Sequence, residues 1–192
     1  MKLQLFAFIV CTFLMVSCSN SQTVQTDADT FETVNLPDGS VAYLNSNSSI
    51  TFEESFNPRV IQHSGEVFYS VVEGNSPFTV TTDKGDVEVL GTEFNVKSDT
   101  ENLEVEVEKG SVQLKVNKLI KKIDKGQKAF FSNLKEDIQV AKADLKHKKW
   151  VKGLKKGLQN VGEEIKEGSE KVGEKSKKLG EGLKDKLKDI KK

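Results

Sequence analysis

The chain has 192 residues, 36% apolar and 30% charged, which suffices for one modest globular domain with length to spare. Its 29 basic and 29 acidic residues cancel, yet residues 145–192 hold 16 Lys against 8 acids, and the remainder holds 13 basic against 21 acidic residues. A chain divided this way contains two physically different parts.

The first residues, MKLQLFAFIVCTFLMVSC, have a basic start, an apolar run from Leu3 to Val16, and then Ser17-Cys18. The run is too short to span a bilayer as a helix and fits the core of a signal peptide. LMVSC resembles the lipobox of bacterial lipoproteins, which implies loss of residues 1–17 and acylation of Cys18. The alternative is an ordinary signal, cut near Ser17 or Cys18. Cys11 leaves with the leader in either case. With Cys18 committed to lipid no disulfide can form, so stability must come from packing. Residues 18–30, largely polar, read as a flexible tether. No second apolar segment has spanning length, so the chain is expected to be anchored to a membrane rather than inserted.

Residues 31–144 follow with an apolar period of two. LEVEVE sets Leu103, Val105 and Val107 on one face, and SVQLKV does the same with Val112, Leu114 and Val116. VAYLN, SITF, EVFYSVV, FTVTT and DVEVL repeat the pattern. Turn signals separate them at Asp38-Gly39, Ser64-Gly65, Lys84-Gly85, Gly110 and Lys125-Gly126. Pro58 and Pro77 suit strand edges. Roughly nine or ten short strands are expected, arranged as an antiparallel sandwich, jelly roll or solenoid-like stack.

Five blocks then carry a resemblance: LPDGSVAYLNSNSSITF, RVIQHSGEVFYSVVEGNSPFTVTT, VEVLGTEFNV, VEVEKGSVQL and KGQKAFF, in order from Leu36 to Phe131. Together they resemble the FecR domain, the periplasmic sensor region of bacterial anti-sigma regulators. The family-motif positions are Asp38, Gly39, Gly65, Glu66, Gly91, Thr92, Phe94, Gly110 and Gly126. Each has a structural reading as well. Gly39 needs positive φ in a tight turn. Gly91 marks a bulge or close backbone approach. Thr92 and Asn95 can bond the local backbone, while Phe94 and Val96 point into the core.

Catalytic chemistry finds little support. The two histidines, His63 and His147, lie far apart in sequence, and no mature cysteine is free, so neither a metal site nor a nucleophilic triad is expected. His63 reads as an exposed or satisfied strand residue. Glu66 and Glu93 could serve a glycosidase only some ~5–10 Å apart in a cleft; pairing with Arg59 or capping turns is the simpler role. Arg59 is the only Arg among Lys, which suggests a fixed bidentate role. No phosphate-binding loop occurs and no cofactor is expected. Nucleic acid is not expected as a partner of an exported chain.

Residues 145–192 form one amphipathic stripe. Its apolar positions are Trp150, Leu154, Leu158, Val161, Ile165, Val172, Leu179, Leu183, Leu187 and Ile190. Their spacing is about 3.6 residues, and on a helix all ten fall within an arc of about 100°. Lys lines both flanks. Seven glycines, each costing up to ~1 kcal/mol in a helix interior, make this helix marginal alone in water. It is expected to order on a surface: an anionic membrane, a partner helix, or the flank of the β-domain. A solvated, partly helical tail is the alternative. Many FecR proteins continue with residues similar to WVKGLKKGL, where Trp150, Gly153 and Leu154 are kept. The mixed C-terminal domain that this resemblance implies is replaced by the stripe.

In regulatory members of that family, a cytoplasmic segment binds a sigma factor and a spanning helix joins it to the FecR domain, which receives a signal from a TonB-dependent transporter. Neither extra part is recognisable in this sequence. The expected function is therefore a non-enzymatic lipoprotein in the periplasm, on the inner leaflet of the outer membrane. Its FecR-like domain would bind an envelope protein, such as a transporter signalling domain or a regulator. The alternatives are an envelope protein acting through its amphipathic tail, and a glycan-binding or hydrolytic β-domain.

Overall fold

The structure, a computed structural model, describes residues 20–156. The expectations for the leader, for Cys18 and for the stripe from Leu158 onward lie outside the described residues. Thirteen strands form: β1 (Ser21–Gln25), β2 (Glu32–Asn35), β3 (Val41–Leu44), β4 (Ser49–Glu53), β5 (Arg59–Ser70), β6 (Phe78–Thr81), β7 (Asp86–Val89), β8 (Glu93–Ser98), β9 (Asn102–Lys109), β10 (Ser111–Val116), β11 (Leu119–Asp124), β12 (Gln127–Ser132) and β13 (Ile138–Lys142). Among the described residues the one helix is short, over residues 148–156.

The strands make a nearly closed, barrel-like β-structure of two sheets that share β5. The first sheet runs β1-β4-β5-β6-β7-β10-β11 and the second β2-β3-β5-β8-β9-β12-β13. The amino-terminal half of β5 pairs with β4 and β6, and its carboxy-terminal half with β3 and β8. The strand turns from one sheet to the other at Gly65, whose φ is +86°. A Cβ there would lie 2.6 Å from the Asn47 carbonyl oxygen and 2.7 Å from the Ser48 Cα. Gly65→Ala is expected to cost about 1–3 kcal/mol through left-handed strain and overpacking, read as a lower urea midpoint with an unchanged slope.

Bending β5 back on itself brings its two ends together across the sandwich. That explains the single departure from antiparallel order. β6 runs parallel to β5 because residues 71–77 need only bridge the gap between the two sheets. Gly110 (φ +82°) likewise turns the chain from β9 in the second sheet to β10 in the first. It is therefore a corner between sheets rather than a hairpin turn between paired strands.

The core lies between the sheets and follows the period-two pattern. Leu103, Val105 and Val107, and Val112, Leu114 and Val116, are all buried, as are Phe94 and Val96. Three strands beyond the clearest runs have weak alternation because they lie at edges. β1 (SQTVQ) is mostly exposed and ends the first sheet against β4. β11 is exposed at every position except Ile123, and β13 at every position except Ile138. Edge strands face water on one side and along one ladder, so they carry polar residues that blur the hydrophobic signal. Part of the stretch read as tether, Ser21–Gln25, is thus a strand of the domain.

Candidate functional site

The β2–β3 turn places Asp38 at the end of the sandwich where β5 begins. Its side chain accepts from Ser40 N at 2.9 Å and from Ser40 Oγ at 2.8 Å, which closes the turn around Gly39 (φ +85°). The same carboxylate takes Arg59 Nε at 2.8 Å and Nη2 at 2.5 Å. Arg59 also donates to the Val72 and Ser76 carbonyls and stands 5.4 Å from the centre of the Phe78 ring. Gly74 makes room for the guanidinium, since a Cβ there would lie 2.5 Å from Nη1. Arg59 has the fixed role expected of it, but both its donors converge on the single oxygen Oδ2 of Asp38, and the partner is Asp38 rather than Glu66 or Glu93.

Gly91 packs against the backbone of Glu73, where an added Cβ would come within 2.8 Å of Glu73 Cα. This is the close approach expected of it, set between β7 and β8 rather than inside a strand. Thr92 reaches across to Ser111 O at 3.0 Å. Asn95 departs from expectation: its amide donates to Glu66 Oε1 at 3.0 Å instead of bonding local backbone. Glu66 Oε2 accepts from Asn45 Nδ2 at 2.9 Å, so Glu66 sits between two amides. Glu93 lies near Lys109, 3.8 Å away on an exposed surface. The ladder sets Glu66 opposite Lys97 and Glu93 opposite Ser70. Four residues of strand, about 13 Å, separate their backbone positions, and the two carboxylates meet different partners, Asn45 and Asn95 for Glu66 and Lys109 for Glu93. Gly126 (φ +79°) forms the β11–β12 turn.

His63 is the satisfied member of the expected alternatives, and it is buried. Its Nε2 lies 3.1 Å from Gly65 O, which can only accept, so Nε2 carries the proton. Nδ1 then accepts from Tyr69 Oη at 2.9 Å. Burial pushes the pKa down to about 4, against smaller raising effects of Gly65 O and Asp83. An unfolded chain protonates this ring near pH 6.5, so the native state binds fewer protons between the two values. The stabilisation is complete above pH 6.5 and fades as pH falls through about 4. Urea unfolding from about pH 7 to 5 should show a loss approaching ~2 kcal/mol, and His63→Gln should flatten it.

The outer face of the second sheet is where the two parts of the chain meet. Tyr43, Phe68 and Val151 form a second apolar cluster, joined by Val41, Trp150 and Leu154. Phe31 stacks on Trp150 with ring centres 6.4 Å apart, and Lys155 Nζ lies 5.2 Å from the Tyr43 ring centre. Of the predicted stripe, the described members Trp150 and Leu154 thus pack on the β-domain's own flank. Val151, at the margin of the stripe, is the most buried residue of this helix.

A polar latch leads into that contact. Glu106 Oε1 accepts from Asp144 N at 2.9 Å and Leu145 N at 3.3 Å, and Oε2 lies 3.0 Å from His147 Nδ1. His147 Nε2 faces Glu108 Oε2 at 3.3 Å, and its ring stacks on Phe68. Burial raises the Glu106 carboxyl, but the hydrogen bonds from His147 and the two backbone amides outweigh it and hold it below the ordinary carboxylate range. Lys128 spans Glu104 and Asp144, and Lys148 meets Glu108. Glu106 carried no signal in the sequence, because in LEVEVE it occupies a position that normally faces water. The signal that could have found it is His147, a lone imidazole among lysines beside Trp150.

Residues 22–113 match the family model described as FecR protein. Residues 22–113 of the β-domain are a FecR domain. Two crystal structures titled "putative anti-sigma factor" from Parabacteroides distasonis ATCC 8503 are similar to it. The one at 2.50 Å has 26% identity and a TM-score of 0.62, over 65% of this chain and 61% of that one. The one at 1.65 Å has 28% identity and a TM-score of 0.65, over 69% and 65%. The chain thus spans less than two thirds of the length of either. No curated protein matches the chain. The latch formed by Asp144 to His147 lies beyond the residues matched to the FecR family.

Proposed function

We propose that this chain is a non-enzymatic regulatory protein of the bacterial envelope whose FecR domain binds a protein partner. The match of residues 22–113 carries the reading, and the likeness to structures titled as anti-sigma factors supports it. The partner that fits is an envelope protein: the signalling domain of a TonB-dependent transporter, or a regulator coupled to it. Cys18, behind the apolar run Leu3 to Val16, would hold the mature chain by lipid on the periplasmic side of the outer membrane. Crosslinking in cells followed by purification of the lipidated protein tests the partner. An envelope protein should be recovered in specific excess, and recovery of none above background sinks the reading. Cys18→Ala should release the protein from the membrane fraction.

A second reading, that the tail associates with a membrane surface, draws on its Lys-flanked apolar stripe. A peptide of residues 146–192 would then gain helix on anionic vesicles and lose it as salt is raised. Unchanged circular dichroism on such vesicles counts against it.

A further inference from the structure

The latch residues form one wall of a cleft on the outer face of the second sheet, about 370 Å³ in volume. Its floor comes from β5, β8, β9 and β12 through Glu66, Asn95, Glu104 and Phe130, and its far wall from residues 144–150. Two buried polar atoms among its lining residues have no hydrogen-bond partner: Asn95 Oδ1 and Trp150 Nε1. Asn95 is only 4% exposed, and its other amide atom is committed to Glu66. Leaving a buried acceptor and a buried donor unsatisfied is costly, so a fold that keeps both calls for an explanation.

The chemistry of the lining narrows what could satisfy them. Acidic groups outnumber lysines, which disfavours an anion. A metal is disfavoured because, among the described residues, no three ligating side chains converge. The ammonium of Lys128 already lies between Glu104 and Asp144. What remains is a neutral molecule rich in groups that both donate and accept. A hydroxyl does both, giving its proton to Asn95 Oδ1 and receiving one from Trp150 Nε1. Phe130 and Trp150 add aromatic surface suited to the C–H face of a sugar ring. The volume is at the small end of ligand pockets and fits a monosaccharide.

We propose that this cleft binds a small hydroxylated molecule of the sugar or polyol class, with Asn95 Oδ1 and Trp150 Nε1 as its orienting groups. Both atoms are closed to solvent, so a ligand reaches them only if the half-buried Trp150 indole turns outward. Trp150 also belongs to the cluster that docks the helix, so occupancy alters the seat of the tail.

Trp150 is the only tryptophan, so its emission reads the site directly. The full mature protein is titrated with D-glucose, N-acetylglucosamine and myo-inositol up to about 50 mM, well above a millimolar Kd. A saturable emission change with at least one of them is expected. Calorimetry on Trp150→Phe, which keeps an aromatic ring but removes the donor, should show at least tenfold weaker binding of that compound. Asn95→Ala should show the same, and if it fails to fold, Trp150→Phe alone decides. No saturable change with any of the three overturns the proposal, and so does unaltered affinity in Trp150→Phe.

Discussion

Arg59→Ala is expected to destabilise the FecR domain by about 3–5 kcal/mol, the cost of stranding one member of a buried ion pair. The Arg59 and Asp38 side chains are 9% and 14% exposed, so solvent screens them little. Without the guanidinium, Asp38 keeps only its bonds to Ser40, and the carbonyls of Val72 and Ser76 lose their donor. The turn after β2 and the 71–77 connection would both loosen, because Arg59 is what ties them to the start of β5. Arg59→Lys should recover little, since an ammonium cannot present a planar fork to Asp38 and two carbonyls at once. Urea unfolding followed by far-ultraviolet circular dichroism measures the loss. A change below about 1 kcal/mol would place the pair among ordinary surface bridges.

Glu106→Ala should release residues 144–156 from the sheet while leaving the sandwich folded. The carboxylate is 3% exposed and accepts from two backbone amides and His147, so its removal leaves three donors without their acceptor. The docking contribution at stake is about 3–5 kcal/mol. Trp150 emission should move to longer wavelength, and the segment should become open to protease, with the urea midpoint of the β-domain little changed. Glu106→Gln should fall between the two states, because a neutral amide accepts more weakly.

The same latch should respond to acid. Glu106 is held below its ordinary value, as is Glu108, whose burial is outweighed by bonds from Lys148 and His147. Protons are thus bound more tightly when the strap is free. Docking is at full strength above the ordinary carboxylate range and is lost as pH falls through the docked-state values. The facing groups are His147, Lys148, Lys128, Asp144 and Glu104. Trp150 emission followed through this range, with Glu106→Gln flattening the curve, checks the direction.

The β-character of the domain was legible because each sandwich strand buries one face, so Leu103, Val105 and Val107 announce themselves by alternation alone. β1, β11 and β13 were not legible, because an edge strand meets water along one ladder and need not alternate cleanly. The glycines were readable where the backbone dictated them. Gly39 and Gly126 sit in tight turns with positive φ. The reason for Gly74 was hidden, since the atom it accommodates belongs to Arg59, fifteen residues earlier.

From the sequence alone, then, came the family, the β-domain and the separate character of the tail, since local alternation and turn chemistry are encoded residue by residue. The five blocks together, VEVLGTEFNV among them, pointed to the family, and Phe94 and Val96 took the core positions assigned to them. The partners of Asp38, Glu66 and Glu106 were decided only by tertiary structure. Each of these carboxylates meets donors at least 21 residues away in sequence, from other strands or from the tail. Strand alternation says which face a side chain takes. It cannot say that the outer face of the second sheet will be roofed by a later segment, because that depends on where the folded chain returns.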